Sequence, residues 1–140
     1  MITSIADTSF VVALGNKADK WNPACDRVRR AEDTIALPQS VLAEVGYMFT
    51  RELGNRAMAE FLRRLNETKY RVVPLEMEDF ARTADILDQY ADSRIDFVDA
   101  TIVAVAERLR VTRILTLDQR DFHIVRPKHT PHFELLPQMQ

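Results

Sequence analysis

The chain has 140 residues, 46% of them apolar, with a formal net charge of -2 and one cysteine, Cys25. That is enough chain for one domain with a substantial core, expected to span residues 1–140, and too apolar for a disordered one. A lone cysteine excludes an intrachain disulfide, no Cys or His spacing fits zinc, and no apolar run reaches the ~18–20 residues of a membrane span.

Residues 2–6 read as a short buried strand that ends on Asp7, and residues 9–15 as the start of a helix with Ser9 as its N-cap. The stretch 22–32 opens on Asn22-Pro23, a favoured helix start, and 34–38 is a brief strand. Residues 39–53 place Val41, Leu42, Val45, Met48 and Phe49 near one helical stripe, and Gly54-Asn55 breaks it. Residues 56–68 set Met58, Phe61, Leu62 and Leu65 on one helix face. A strand over 70–75 and an amphipathic helix over 77–90 follow. The polar stretch 91–96 is a loop, and 97–109 is apolar nearly all round, which predicts a buried helix. Residues 113–118 form a strand ending on Asp118, and 122–125 and 133–136 read as short edge strands. Strands alternating with helices predict an α/β fold with a mainly parallel central sheet and helices on both faces.

The acids fall at informative places in this frame. Asp7 and Asp118 follow strands, and in a parallel sheet ligands bind at the carboxyl ends of strands where strand order reverses. If the two strands are neighbours, both carboxylates stand at that edge. Glu44 borders the apolar stripe made by Val41, Val45 and Met48. Asp96 and Asp99 share one side of the start of the buried helix. Each acid also has a plainer reading. Asp96 suits an N-cap with Asp99 in the first turn, Asp118 and Asp121 suit turns, Glu44 suits a pair with an arginine, and Asp7 suits a cap over residues 9–10.

Together the acids ask for more. No lysine lies near Asp7, Glu44 or Asp99 in sequence, and gathered carboxylates repel one another and raise their own pKa values. A divalent cation relieves that repulsion. Oxygen ligands without His or Cys suit Mg²⁺ or Mn²⁺, and such a site commonly serves chemistry on phosphate. Setting these acids aside leaves the remaining charges basic. Arginine groups such as Arg27, Arg29, Arg30 and Arg108, Arg110, Arg113 then suit either a phosphate backbone or solvated helix faces. His123, His129 and His132 all lie in the C-terminal segment and read as surface or packing residues.

"ADTS" at 6–9, "VLAE" at 41–44, "VDATIVAVAERL" at 98–109 and "ILTLDQRDF" at 114–122 resemble, in that order, the motifs of the PIN domain. Within that family the chain most resembles the VapC-type toxins of bacterial VapBC pairs, and the ending "RDFHIVRP…FELLP" adds to the match. The resemblance implies a PIN-like three-layer α/β/α domain and an Mg²⁺- or Mn²⁺-dependent endoribonuclease. It places the four family acids on Asp7, Glu44, Asp99 and Asp118, with Asp7 and Asp99 as the direct metal ligands. Ser9 and Thr116 match small hydroxyl positions lining such sites. Asp96 and Asp121 stand as further acids of less fixed role.

The resemblance also implies a homodimer, a cognate VapB-type antitoxin and a structured RNA substrate such as tRNA or rRNA, while the lone cysteine and the lack of a secretory or membrane-spanning pattern suit a reducing cytoplasm away from membranes. Trp21, Tyr47, Phe49 and Phe61 are the aromatic candidates for protein contacts, with Trp21 the best placed to be exposed and Phe61 better suited to the core. Two other readings stay open: a PIN nuclease of RNA processing without an antitoxin, and a non-catalytic PIN-like binding module. A phosphatase with Asp7 as nucleophile would want a second acid two residues on, where Ser9 stands.

Overall fold

The computed structural model describes residues 1–139. Five strands, β1 (Ile2–Ala6), β2 (Thr34–Pro38), β3 (Tyr70–Val73), β4 (Arg113–Leu115) and β5 (Glu134–Leu136), form one sheet in the order β3-β2-β1-β4-β5. Every neighbouring pair is parallel. Parallel strands require crossovers, and helices supply them: α1 (Thr8–Leu14), α2 (Asn22–Ala31), α3 (Gln39–Leu53), α4 (Asn55–Arg63), α5 (Met77–Gln89), α6 (Phe97–Leu109) and the short α7 (Arg120–Ile124). The result is a three-layer α/β/α fold.

The chain runs outward from β1 to β3, then returns to the other side of β1 to lay down β4. Strand order therefore reverses between β1 and β4, where Ile5 pairs with Ile114 and Ala6 with Leu115. A crevice opens at the carboxyl ends of two strands whose connections leave in opposite directions. The neighbour relation that the two strand-end acids require is present.

Burial fixes this arrangement. Ile5, Ala6, Ile35, Leu37, Ile114 and Leu115 are all but fully buried, as expected of strands covered on both faces. Helix α6 buries Ala100 through Ala106 without a break, in line with its uniformly apolar sequence. Each Ile or Leu withdrawn from water contributes about 1.5–3 kcal/mol before the entropy of ordering the chain is counted. Two glycines are dictated by local geometry. A Cβ on Gly15 would lie 2.5 Å from the Phe49 ring, and Gly54 sits at φ 91° between α3 and α4.

Strand β3 stops at Val73, short of the expected residue 75, and four other places differ more from the sequence reading. Helix α1 is capped by Asp7, not Ser9: Asp7 Oδ1 accepts from the Thr8 amide at 2.7 Å. The helix expected over 56–68 ends at Arg63, and a single 3₁₀ turn, Leu65–Glu67, follows. There the Thr68 hydroxyl donates to the Leu65 carbonyl at 2.6 Å, competing with helical pairing. Strand β4 stops at Leu115, so Asp118 lies three residues beyond it. The expected strand 122–125 falls instead on α7 and its end. Phe122 and Val125 are buried while His123 and Ile124 are exposed, a helical spacing that four residues could not distinguish from a strand.

Candidate active site

One cavity of about 860 Å³ opens at the β1/β4 crevice, and Asp7, Glu44, Asp96, Asp99, Asp118 and Asp121 all line it. The residues come from five places in the chain: the end of β1, the middle of α3, the start of α6, the loop after β4, and α7. Ser9 lines the same cavity. Asp19 and Glu52 line it too, two acids that sequence reasoning passed over because each lies on a polar stretch without a motif.

Asp7 is the most enclosed of the set, only 5% exposed. Its Oδ1 accepts the Thr8 amide, and its Oδ2 accepts the Thr116 hydroxyl at 2.9 Å. Thr116 has one proton and gives it to Asp7. The 3.3 Å contact between Ser9 Oγ and Thr116 Oγ1 must then carry the Ser9 proton. Ser9 Oγ in turn accepts from the Leu117 amide at 2.9 Å, and Thr116 Oγ1 accepts from the Asp118 amide at 3.0 Å. The donors therefore run one way, from the backbone after β4 through two hydroxyls to Asp7. This relay ties Asp7 to the Asp118 loop.

Thr8 performs a similar task on the other side. Its hydroxyl donates to Glu44 Oε1, fixing α3 against the start of α1. Thr8 stands inside the "ADTS" stretch, yet nothing in sequence separates it from its neighbours, because its partner lies on another element. Asp96 and Asp99 form a reciprocal capping box at the start of α6. Asp96 Oδ1 accepts from the Asp99 amide at 3.0 Å, and Asp99 Oδ2 accepts from the Asp96 amide at 3.2 Å. The plainer reading of Asp96 as N-cap is the observed one, and the same contact holds one oxygen of Asp99.

Burial pushes the Asp7 carboxyl up to about 6, against the pull of the Thr116 and Thr8 hydrogen bonds, and the Glu44 and Asp118 charges add to the rise. Burial likewise lifts Asp99 to about 8, with the Asp96 and Asp7 charges contributing. Among the described residues, none of the six acids is in an ion pair. Oxygen donors in excess of nearby cations, the deepest of them desolvated, fit a hard divalent ion. The array is open: among the described residues, no three His, Cys, Asp or Glu side chains already stand close enough together to enclose an ion.

The surrounding candidates sort differently. Arg29 and Arg30 pair with Asp26, Arg63 and Arg64 with Glu60, Arg108 with Asp79, and Arg113 with Glu32 and Glu134. Those guanidiniums are committed within the fold. None of the three histidines lines the cavity; His129 Nε2 meets the Val111 carbonyl at 2.7 Å. Trp21 is half-buried against the core and not freely exposed, Phe49 is core, and Phe61 packs partly buried on Phe49 with centroids 5.2 Å apart. Tyr47 alone of the four aromatics is well exposed, and it lines the cavity. Among the described residues, no helix is long and apolar enough to cross a membrane.

The PIN domain matches residues 5–126. Ribonuclease VapC26 of Mycobacterium tuberculosis is 30% identical over 134 residues, covering 95% of this chain and 99% of that protein. The crystal structure of VapC20 of Mycobacterium tuberculosis, a sarcin-ricin loop cleaving toxin, superposes with a TM-score of 0.76 at 25% identity, over 83% of this chain and 90% of that one. A toxin–antitoxin complex from Klebsiella pneumoniae shares the fold at 16% identity with a TM-score of 0.70, over 94% of this chain and 99% of that chain. DNA-bound VapBC from Salmonella typhimurium shares it at 13% identity with a TM-score of 0.71, over 96% and 97% of the two chains.

Proposed function

Because the chain belongs to the PIN domain family, as a VapC-type member, we propose that it is a divalent-metal-dependent endoribonuclease and the toxin of a toxin–antitoxin pair. The observation that carries the reading is the pair Asp7 and Asp99: two carboxylates raised in pKa by burial in one cavity, with Glu44 and Asp118 beside them and, among the described residues, no ion pair to any. Asp7 and Asp99 would hold Mg²⁺ or Mn²⁺ directly, and Glu44 and Asp118 would complete the set directly or through water. A bound divalent ion supplies water activation and charge stabilisation at the phosphorus.

The protein's own part is positioning. The Thr8 amide and the Thr116 hydroxyl hold both Asp7 oxygens in place and favour the ionised carboxylate that a cation needs. The Thr8 hydroxyl holds Glu44, and the Asp96 amide orients Asp99. Phosphodiester hydrolysis of this kind needs no histidine base, and none is offered.

The resemblance to VapC26 and VapC20 supports RNA as the substrate, and a structured RNA such as tRNA or rRNA is the proposed target. The fold shared with toxin–antitoxin complexes supports a VapB-type antitoxin. The proposed toxin is a homodimer of this chain, read as one domain, acting in the cytoplasm. The intact acid set argues against a non-catalytic binding module.

The test uses purified protein free of antitoxin. Cleavage of RNA with Mg²⁺ or Mn²⁺, abolished by EDTA and by Asp7→Asn in a folded variant, is the expected result. Undiminished cleavage in either case overturns the proposed site. Expression of the chain alone should slow growth and the Asp7→Asn chain should not; equal harmlessness removes the toxin reading and leaves the nuclease one.

A further inference from the structure

Two cavity-lining residues take no part in the acid cluster. Tyr47 lies on α3, three residues after Glu44, and is 65% exposed. Its ring meets the Arg51 guanidinium at 5.9 Å, and among the described residues it is in no ring–ring pair. Arg94 lies in the loop immediately before α6 and is exposed. Among the described residues it is the one Lys or Arg that lines the cavity, and it forms no ion pair there although Asp96 and Asp99 line the same space.

A cavity walled by carboxylates repels a polyanion. A guanidinium in that wall can serve either as counter-ion to the acids or as anchor for an incoming phosphate. Arg94 is not tied to the acids, so its fork of five N–H donors is free for the phosphate, which it matches in a bidentate geometry. An exposed tyrosine at the same rim, whose ring meets only the exposed Arg51 side chain and no other aromatic ring among the described residues, offers a flat surface to an incoming base. Every nucleobase has a complementary face, but in a duplex that face is covered by the next pair, so such a platform selects unpaired bases.

We propose that Tyr47 and Arg94 form a single-strand subsite, Tyr47 stacking on an unpaired base and Arg94 gripping a backbone phosphate next to the one that is cut. The subsite rests on the nuclease reading and adds to it the residues that would choose looped over paired RNA. Neither residue performs the chemistry; both set affinity and register.

The experiment measures binding of a short fluorescent single-stranded RNA by anisotropy, with Ca²⁺ in place of Mg²⁺, alongside steady-state cleavage with Mg²⁺. Tyr47→Ala and Arg94→Gln should each raise Kd and KM about tenfold and leave kcat within about twofold. Tyr47→Phe should restore single-strand affinity, and affinity for a blunt duplex should not respond to Tyr47→Ala, whereas Arg94→Gln, which removes a phosphate contact, should weaken both. Calorimetric Mn²⁺ affinity should match the wild type in both. If Arg94→Gln tightens Mn²⁺ binding with RNA affinity unchanged, Arg94 is a counter-ion and the proposal falls. Unchanged RNA affinity in Tyr47→Ala overturns it as well, whatever that variant does to a protein partner. Failure of the nuclease reading shows elsewhere, as a wild type that binds RNA but does not cut it with Mg²⁺ or Mn²⁺.

Discussion

Thr116 donates its single hydroxyl proton to Asp7 across 109 positions of sequence, at 2.9 Å, and accepts the Asp118 amide with the same oxygen. One side chain thus sets the distance between two proposed metal ligands on either side of the β1/β4 crevice. Thr116→Val keeps the shape and removes both contacts. Divalent affinity, read by calorimetry with Mn²⁺, should fall about tenfold or more, as loss of a partner that orients a ligand commonly does. Thr116→Ser should recover most of it.

Stability without metal should fall as pH rises above about 5. Asp7 and Asp99 have folded pKa values above the ordinary 3.8, at about 6 and about 8. A raised pKa means the folded state holds its proton more tightly than the unfolded state. The stabilisation from those two groups is complete below the ordinary value and is lost as pH passes through the folded values. In EDTA, Tm should drop by roughly 5 °C between about pH 5 and pH 8, a figure reduced for solvent screening at Asp99, which is only partly buried. Saturating Mg²⁺ should flatten the curve, and Asp99→Asn should do so without metal. A Tm that rises across this interval in EDTA would contradict the electrostatics of the cavity.

Asp96 caps α6 through an oxygen that asparagine also possesses. Asp96→Ala should cost about 1 kcal/mol of stability in urea unfolding. Asp96→Asn should keep stability and stay within about twofold of wild-type cleavage. A large loss of metal affinity in Asp96→Asn would make this residue a ligand instead.

Glu32 is buried at the far end of the sheet and accepts from Arg113 at 2.6 Å and from Thr3 Oγ1 at 2.7 Å. Arg113→Ala leaves that carboxylate without its cation and should cost about 2–3 kcal/mol in denaturant unfolding, moderated by the partial exposure of Arg113. Arg113 opens β4 at the end opposite the acids, so cleavage measured well below Tm should be unaffected.

Strands and helices whose apolar residues repeat regularly were legible in the sequence. Helix α3 falls on 39–53 as its apolar stripe requires, and α6 on 97–109 as expected of a run apolar nearly all round. The short C-terminal pieces were not legible, because Phe122 and Val125 alone cannot tell a helical turn from a strand. In the site, Asp7 and Asp118 were legible from their place beyond two strands, and Asp96 as the N-cap of the buried helix. The contributions of Thr8, Arg94 and Tyr47 were not, since each depends on which distant residue shares the cavity. Uncharged partners such as Thr8 leave no charge or hydropathy signature.

The relay through Ser9 and Thr116 closes only when β4 has docked beside β1, after most of the polypeptide has been made. A fragment ending before residue 116 holds Asp7, Glu44 and Asp99 but has neither Asp118 nor the hydroxyl that orients Asp7. Synthesis from the N-terminus therefore withholds the complete carboxylate set until late in translation, and a prematurely terminated product lacks part of the proposed metal site through its topology alone.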